Sequence, residues 1–139
     1  HIPEMLLYSG LATEPQFVPA VGSFRCGMRV EIPLHASLLR DPCAAERIHG
    51  SLATRYAREL FVRVRPIGVA TDDEWAFDPR GSNDTNRIEI SVVPHPSGHV
   101  LLVALLDNLG KGAAGAAIQN LNLMPGLPEE ARLSAYGPL

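Results

Sequence analysis

Val100 to Leu106 is an unbroken apolar run, and it constrains the fold more than any other part of the chain. It is far shorter than the stretch of about 20 apolar residues that a membrane-crossing helix needs. A strand of this length without alternation fits a position buried on both faces of a sheet. The reading is therefore a central strand from His99 to Leu106, which requires strands on either side. Met28 to Leu34 supplies one, alternating apolar and polar, with Pro33 marking an edge because proline cannot donate to a ladder. Phe61 to Arg65 supplies a second, and Arg87 to Val92 alternates again as a third. Pro94-His95-Pro96-Ser97-Gly98 is the turn that makes a hairpin of the third and fourth strands.

Helical segments separate the strands. Pro3 suits the first turn of a helix running to about Tyr8 and stopping at Ser9-Gly10. Asp41-Pro42 is a helix start, followed on one face by Ile48, Leu52 and Tyr56. Lys111 to Met124 is an Ala-rich helix ended by Pro125-Gly126. Thr13 to Pro19, the polar stretch from Thr71 to Asn86, and the tail from Leu127 read as loops. The order is helix, strand, helix, three strands, helix. Helices and strands do not alternate strictly, so the class is α+β: a mixed, largely antiparallel sheet with helices on one face.

The chain has 139 residues, the size of one domain, with 46% apolar and 19% charged residues, as in ordinary globular proteins. Its formal net charge of −3 and the lack of a basic stripe argue against nucleic acid as a partner. Two cysteines do not make a disulfide framework. No secretory signal or spanning segment is visible, so the default setting is the cytoplasm. The chain opens on His1 inside a motif, not on Met, which predicts that it begins in the middle of a longer protein.

Gly110-x-Gly112-x-x-Gly115, between a strand and a helix, matches the dinucleotide fingerprint in isolation. The second βα half and the acidic residue that the fingerprint needs do not follow. It is not a phosphate loop either, because Gly112 follows Lys111 where Ser or Thr is required. What remains is that small residues permit close approach, either of a ligand or of a neighbouring element. His1 and Glu4 share a helix face, and an imidazole beside a carboxylate can serve as a general acid and base. His35, His49, His95 and His99 lack metal-ligand spacing and read as surface residues. Cys26 and Cys43 read as passive thiols, and Asp72, Asp73 and Glu74 as a solvated acidic cluster.

Together these segments resemble one family, the N-acetyl-γ-glutamyl-phosphate reductases in their shorter form. The resemblance lies in His1-x-Pro3-Glu4-Met5, in Phe17-Val18-Pro19-Ala20-Val21-Gly22-x-Phe24-x-x-Gly27-Met28, and in Asn83-x-Thr85-Asn86-Arg87. The longest match is Asp107-Asn108-Leu109-x-Lys111-Gly112-Ala113-Ala114-Gly115 with Gln119-Asn120-x-Asn122-Leu123-Met124. It implies a fold similar to the C-terminal domain of glyceraldehyde-3-phosphate dehydrogenase. The whole chain, residues 1–139, would be one C-terminal substrate-binding and oligomerisation domain, with the N-terminal nucleotide-binding domain missing. It implies NADPH-dependent reduction of N-acetyl-γ-glutamyl phosphate to the semialdehyde in arginine biosynthesis, through a thioacyl-enzyme on a cysteine that lies upstream. His1 takes the acid/base position, with Glu4 to orient it. Asn108 matches a position that reaches the nicotinamide end of NADP(H), with Lys111 and Gly112 lining the approach; the missing domain would hold most of the cofactor. A homodimer or homotetramer is implied, and no metal. The isolated chain is expected to be inactive. Alternatives are an aspartate-semialdehyde-dehydrogenase-like domain, which shares the fold and the Asp-Asn…Lys-Gly-Ala motif, and a pure oligomerisation module.

Overall fold

A computed structural model describes residues 1–39, 43–67 and 77–135. The helix-start signal Asp41-Pro42, the cluster Asp72, Asp73 and Glu74, and the first part of the loop from Thr71 lie outside the described residues. The elements are α1 (Ile2–Ser9), β1 (Met28–Leu34), α2 (Ala44–Tyr56), β2 (Val62–Val64), β3 (Ile88–Pro94), β4 (Val100–Leu106) and α3 (Gly115–Leu123). A 3₁₀ turn at Ala36–Leu38 and a π-helical turn at Gly110–Ala114 were not foreseen from the sequence.

Four strands form one sheet in the order β1-β4-β3-β2. β4 pairs antiparallel with β1 and with β3, and β2 pairs parallel with β3. The fold is thus α+β with a mixed, largely antiparallel sheet. Hydrogen bonds from the Ile88 amide to the Phe61 carbonyl (2.9 Å) and from the Arg65 amide to the Ile90 carbonyl (2.8 Å) extend the β2 pairing across Phe61–Arg65. The β3–β4 hairpin closes at Gly98, whose φ of 83° belongs to the left-handed region that glycine occupies without a Cβ penalty.

Because β4 is an inner strand, both of its faces are covered, which is why its sequence does not alternate. On one face Val100 joins Val92 and Ala45 of α2, with Leu34, Leu39, Ile48, Leu52, Ile67 and Leu102 packed around them. On the other face Val103 is 1% exposed and Leu105 4%. Each such side chain contributes about 1.5–3 kcal/mol by leaving water. The register sets Arg29 and Glu89 on either side of Leu105, with Arg63 next to Glu89. Glu89 is paired with Arg87 at 3.0 Å and with Arg63 at 3.8 Å.

α2 is the helix that lies on the sheet. α1 has Pro in its first turn and Gly10 as a left-handed C-cap, but none of its residues is buried. α3 buries only Gly115 and Asn122, and leaves Leu121, Leu123 and Met124 more than half exposed.

His35 and His95 are exposed, as read from the sequence, whereas His49 and His99 are partly buried. The half-buried His99 accepts the Ala36 amide on Nδ1 (2.9 Å), and its ring centroid lies 4.4 Å from that of His35 and 6.0 Å from that of His95. His49 bonds the Arg65 carbonyl at 3.0 Å.

Candidate active site

The turn that leaves β4 is organised by Asp107, a residue for which the sequence reading has no separate role. Its side chain is 4% exposed in total. Oδ1 accepts the amides of Leu109 and Gly110, each at 2.8 Å, as a helix-capping carboxylate does. Oδ2 accepts the amide of Asp84 at 2.8 Å. The Cys26 thiol lies near the same carboxylate and interacts with it electrostatically. Burial pushes the Asp107 carboxyl up, but the Gly110, Asp84 and Leu109 amides and the Cys26 thiol together outweigh it and hold the pKa below its ordinary value. Cys26 moves the other way: burial, and then the Asp107 charge, raise its pKa. A thiol kept protonated in this manner is a poor nucleophile.

Beyond Asp107 the backbone opens into the π-helical turn. The Gly112 amide bonds the Asp107 carbonyl (2.8 Å) and the Ala114 amide bonds the Leu109 carbonyl (3.1 Å), each spanning five residues. The glycines serve close approach between elements. A Cβ on Gly110 would stand 3.0 Å from the Thr85 carbonyl oxygen. One on Gly115 would stand within 2.9 Å of Asn86 Oδ1 and of the Gly110 carbonyl group. The turn over residues 82–87 is therefore pressed directly against the turn after β4. That segment also contains Ser82 Oγ, Asn83 Oδ1, Asn86 Oδ1 and Arg87 Nε, all buried without a hydrogen-bond partner among the described residues. Groups of this kind cost about 1–3 kcal/mol each and need support from their surroundings.

Of the site residues read from sequence, Asn108, Lys111 and Gly112 share this turn. Asn108 and Gly112 are exposed. Lys111 turns inward: Nζ donates to Gln119 Oε1 at 2.6 Å and lies 5.6 Å from the centroid of the Phe61 ring. Burial lowers its pKa. Gln119 also accepts from Asn86 Nδ2 (3.1 Å) and donates to Glu129 Oε1 (2.5 Å), which ties α3 to the tail. His1 and Glu4 lie apart, on α1. The His1 ring is tilted against Phe17 with centroids 5.3 Å apart. No ion pair or hydrogen bond joins the Glu4 carboxylate to the His1 imidazole among the described residues. No hydrogen bond or ion pair joins α1 to the Asp107 turn among the described residues. The sequence analysis missed Asp107 and the carboxylate side of Cys26. A strand-final Asp three residues before a Gly was the one local signal for the first.

A family model for the semialdehyde dehydrogenase dimerisation domain matches residues 1–108, and the chain belongs to that family. Within it, the chain is 47% identical over 133 residues to N-acetyl-gamma-glutamyl-phosphate reductase 2 of Nostoc sp., covering 94% of this chain and 41% of that protein. The N-acetyl-gamma-glutamyl-phosphate reductase of Trichormus variabilis is equally similar, at 47% over 133 residues, with 94% and 41% covered. That of Burkholderia lata is 42% identical over 133 residues, with 95% and 42% covered. The chain thus spans about two fifths of the length of the curated relatives it matches.

Proposed function

We propose that this chain is the C-terminal substrate-binding and oligomerisation part of an N-acetyl-γ-glutamyl-phosphate reductase. The complete enzyme would reduce N-acetyl-γ-glutamyl phosphate to N-acetylglutamate semialdehyde with NADPH. The single observation behind this is the 47% identity over 133 residues to a reductase of that name. Residues 1–139 form the one domain present, and a nucleotide-binding domain upstream would hold most of the cofactor and carry the nucleophilic cysteine. The raised pKa of Cys26 supports placing the nucleophile elsewhere. No helix among the described residues is long and apolar enough to cross a membrane.

In this reading His1 takes the proton from the attacking thiol on its imidazole and later gives one to the carbonyl oxygen. Its exposed ring leaves both transfers open to a substrate. Glu4, one turn along α1, steadies the ring. Asn108 offers an exposed carboxamide, and Gly112 an edge without a side chain, to the nicotinamide end of NADP(H), which supplies the hydride when bound. Lys111 lies behind them and shapes the turn through Gln119. The reading includes a homodimer or homotetramer, which the family's description as a dimerisation domain and the apolar side chains left open on α1 and α3 support.

The test is phosphate-dependent NADP⁺ reduction with N-acetylglutamate semialdehyde, on the parent protein extended upstream. Turnover with this aldehyde, lost in the isolated chain, is the expected result. Turnover with aspartate semialdehyde alone moves the protein to the sister dehydrogenase. Turnover with neither leaves a pure oligomerisation module.

A further inference from the structure

We infer that Asp107 is a positioning residue, its carboxylate fixing the backbone on both sides of Asn108 and so aiming the Asn108 carboxamide at the cofactor. The role rests on the reductase reading above. Asn108 makes no side-chain hydrogen bond or ion pair among the described residues, so nothing beyond its own backbone directs it. That backbone is held from one point. Asp107 precedes Asn108, and Oδ1 of Asp107 takes the two amides that follow it, Leu109 and Gly110. The Asp107 carbonyl takes the Gly112 amide at 2.8 Å. Four residues of the turn therefore move with Asp107.

Asp107 is in turn pinned from outside the turn. Oδ2 takes the Asp84 amide at 2.8 Å, and the Cys26 thiol, in the loop before β1, lies near the same carboxylate. A Cβ at Gly110 would already meet the Thr85 carbonyl oxygen at 3.0 Å, so the turn lies close against residues 82–87. A carboxylate is the group that can do this: both oxygens accept, and no proton opposes an incoming N–H. An amide of the same shape turns a donor against at least one of these amides.

The decisive experiment is a double-mutant cycle of Asp107→Asn with Asn108→Ala in the upstream-extended enzyme, reading KM for NADP⁺, KM for the semialdehyde, and kcat. Asp107→Asn is expected to raise KM for NADP⁺ about ten-fold or more while leaving KM for the semialdehyde within about two-fold. In the Asn108→Ala background it should add less than about two-fold, because the side chain it aims is gone. Additive effects, or an equal rise in both KM values, overturn the role and leave Asp107 as a stabilising cap. A parent enzyme that turns over neither aldehyde overturns the reductase reading and the role with it. If Asp107→Asn does not fold, Cys26→Ala removes a neighbour of the same carboxylate. Its expected rise in KM for NADP⁺ is about two- to three-fold, again only with Asn108 present. The same rise without Asn108, or none at all, overturns the role.

Discussion

Residues 1–25 and the paired turns around Asp107 both carry candidate site residues, yet they are held in opposite ways. α1 buries nothing, and the segment after it leaves Val18 85% exposed, while the His1 ring rests against Phe17 at the surface. Around Asp107, by contrast, Ser82, Thr85, Asn86 and Asp107 are all buried, and the glycines admit no side chain. A substitution in the first region should report chemistry with little change in stability. In the second, stability should change whether or not chemistry does.

The largest separation is expected for His1→Ala in the upstream-extended enzyme. Loss of a general acid and base should lower kcat about 10²- to 10⁴-fold, with the melting temperature unchanged. A matching drop in stability, measured by thermal melting, would show that His1 is structural and erase the contrast. Gly115→Ala should do the reverse on the other side. Forcing a methyl group against Asn86 and the Gly110 carbonyl should destabilise by about 1–3 kcal/mol in denaturant unfolding.

Acid unfolding sharpens the same point. The folded pKa of Asp107 lies below its ordinary value, near 3.9 in an unfolded chain. The unfolded chain therefore takes up this proton first as pH falls. The stability it contributes is present above about pH 4 and is lost as pH drops through the folded value. Asp107→Asn should flatten the melting temperature against pH below about 4. The smallest effect is expected for Leu7→Ser on the exposed side of α1, within about 0.5 kcal/mol. A larger loss would mean that α1 is held by contacts made in an assembly.

The sheet was legible because its signals are local. The alternation in Met28–Leu34 and the unbroken run Val100–Leu106 each marked a strand, and the register pairs the two. β4 has buried residues on both faces, whereas β1 at the edge leaves Val30 and Ile32 exposed along with its polar residues. The helix face of α2 followed from Ile48 and Leu52. The turn around Asp107 was only partly legible. The partners of its carboxylate, Asp84 and Cys26, lie in distant segments, so their meeting depends on tertiary structure that no local pattern encodes. For the same reason Lys111 looked free in a Gly-rich string, although it is turned toward Gln119 and Phe61. Ala-rich sequence after Lys111 reads as helix from its first residue, and nothing local distinguishes an α turn from a π turn there.

That π-helical stretch also acts as a phase setter. It is an α-helical turn with one residue too many, and each helical residue rotates the chain by about 100°. Straightening Gly110–Ala114 into an ordinary α turn without losing a residue, with Asp107 still anchored, would turn everything beyond by about 100° relative to Asn108. Gln119 would no longer face Lys111 or Asn86, and Asn122 would leave the carbonyls of Glu129 and Ala131 that hold the tail. The width of this one turn therefore decides which face of α3 looks back toward Asn108.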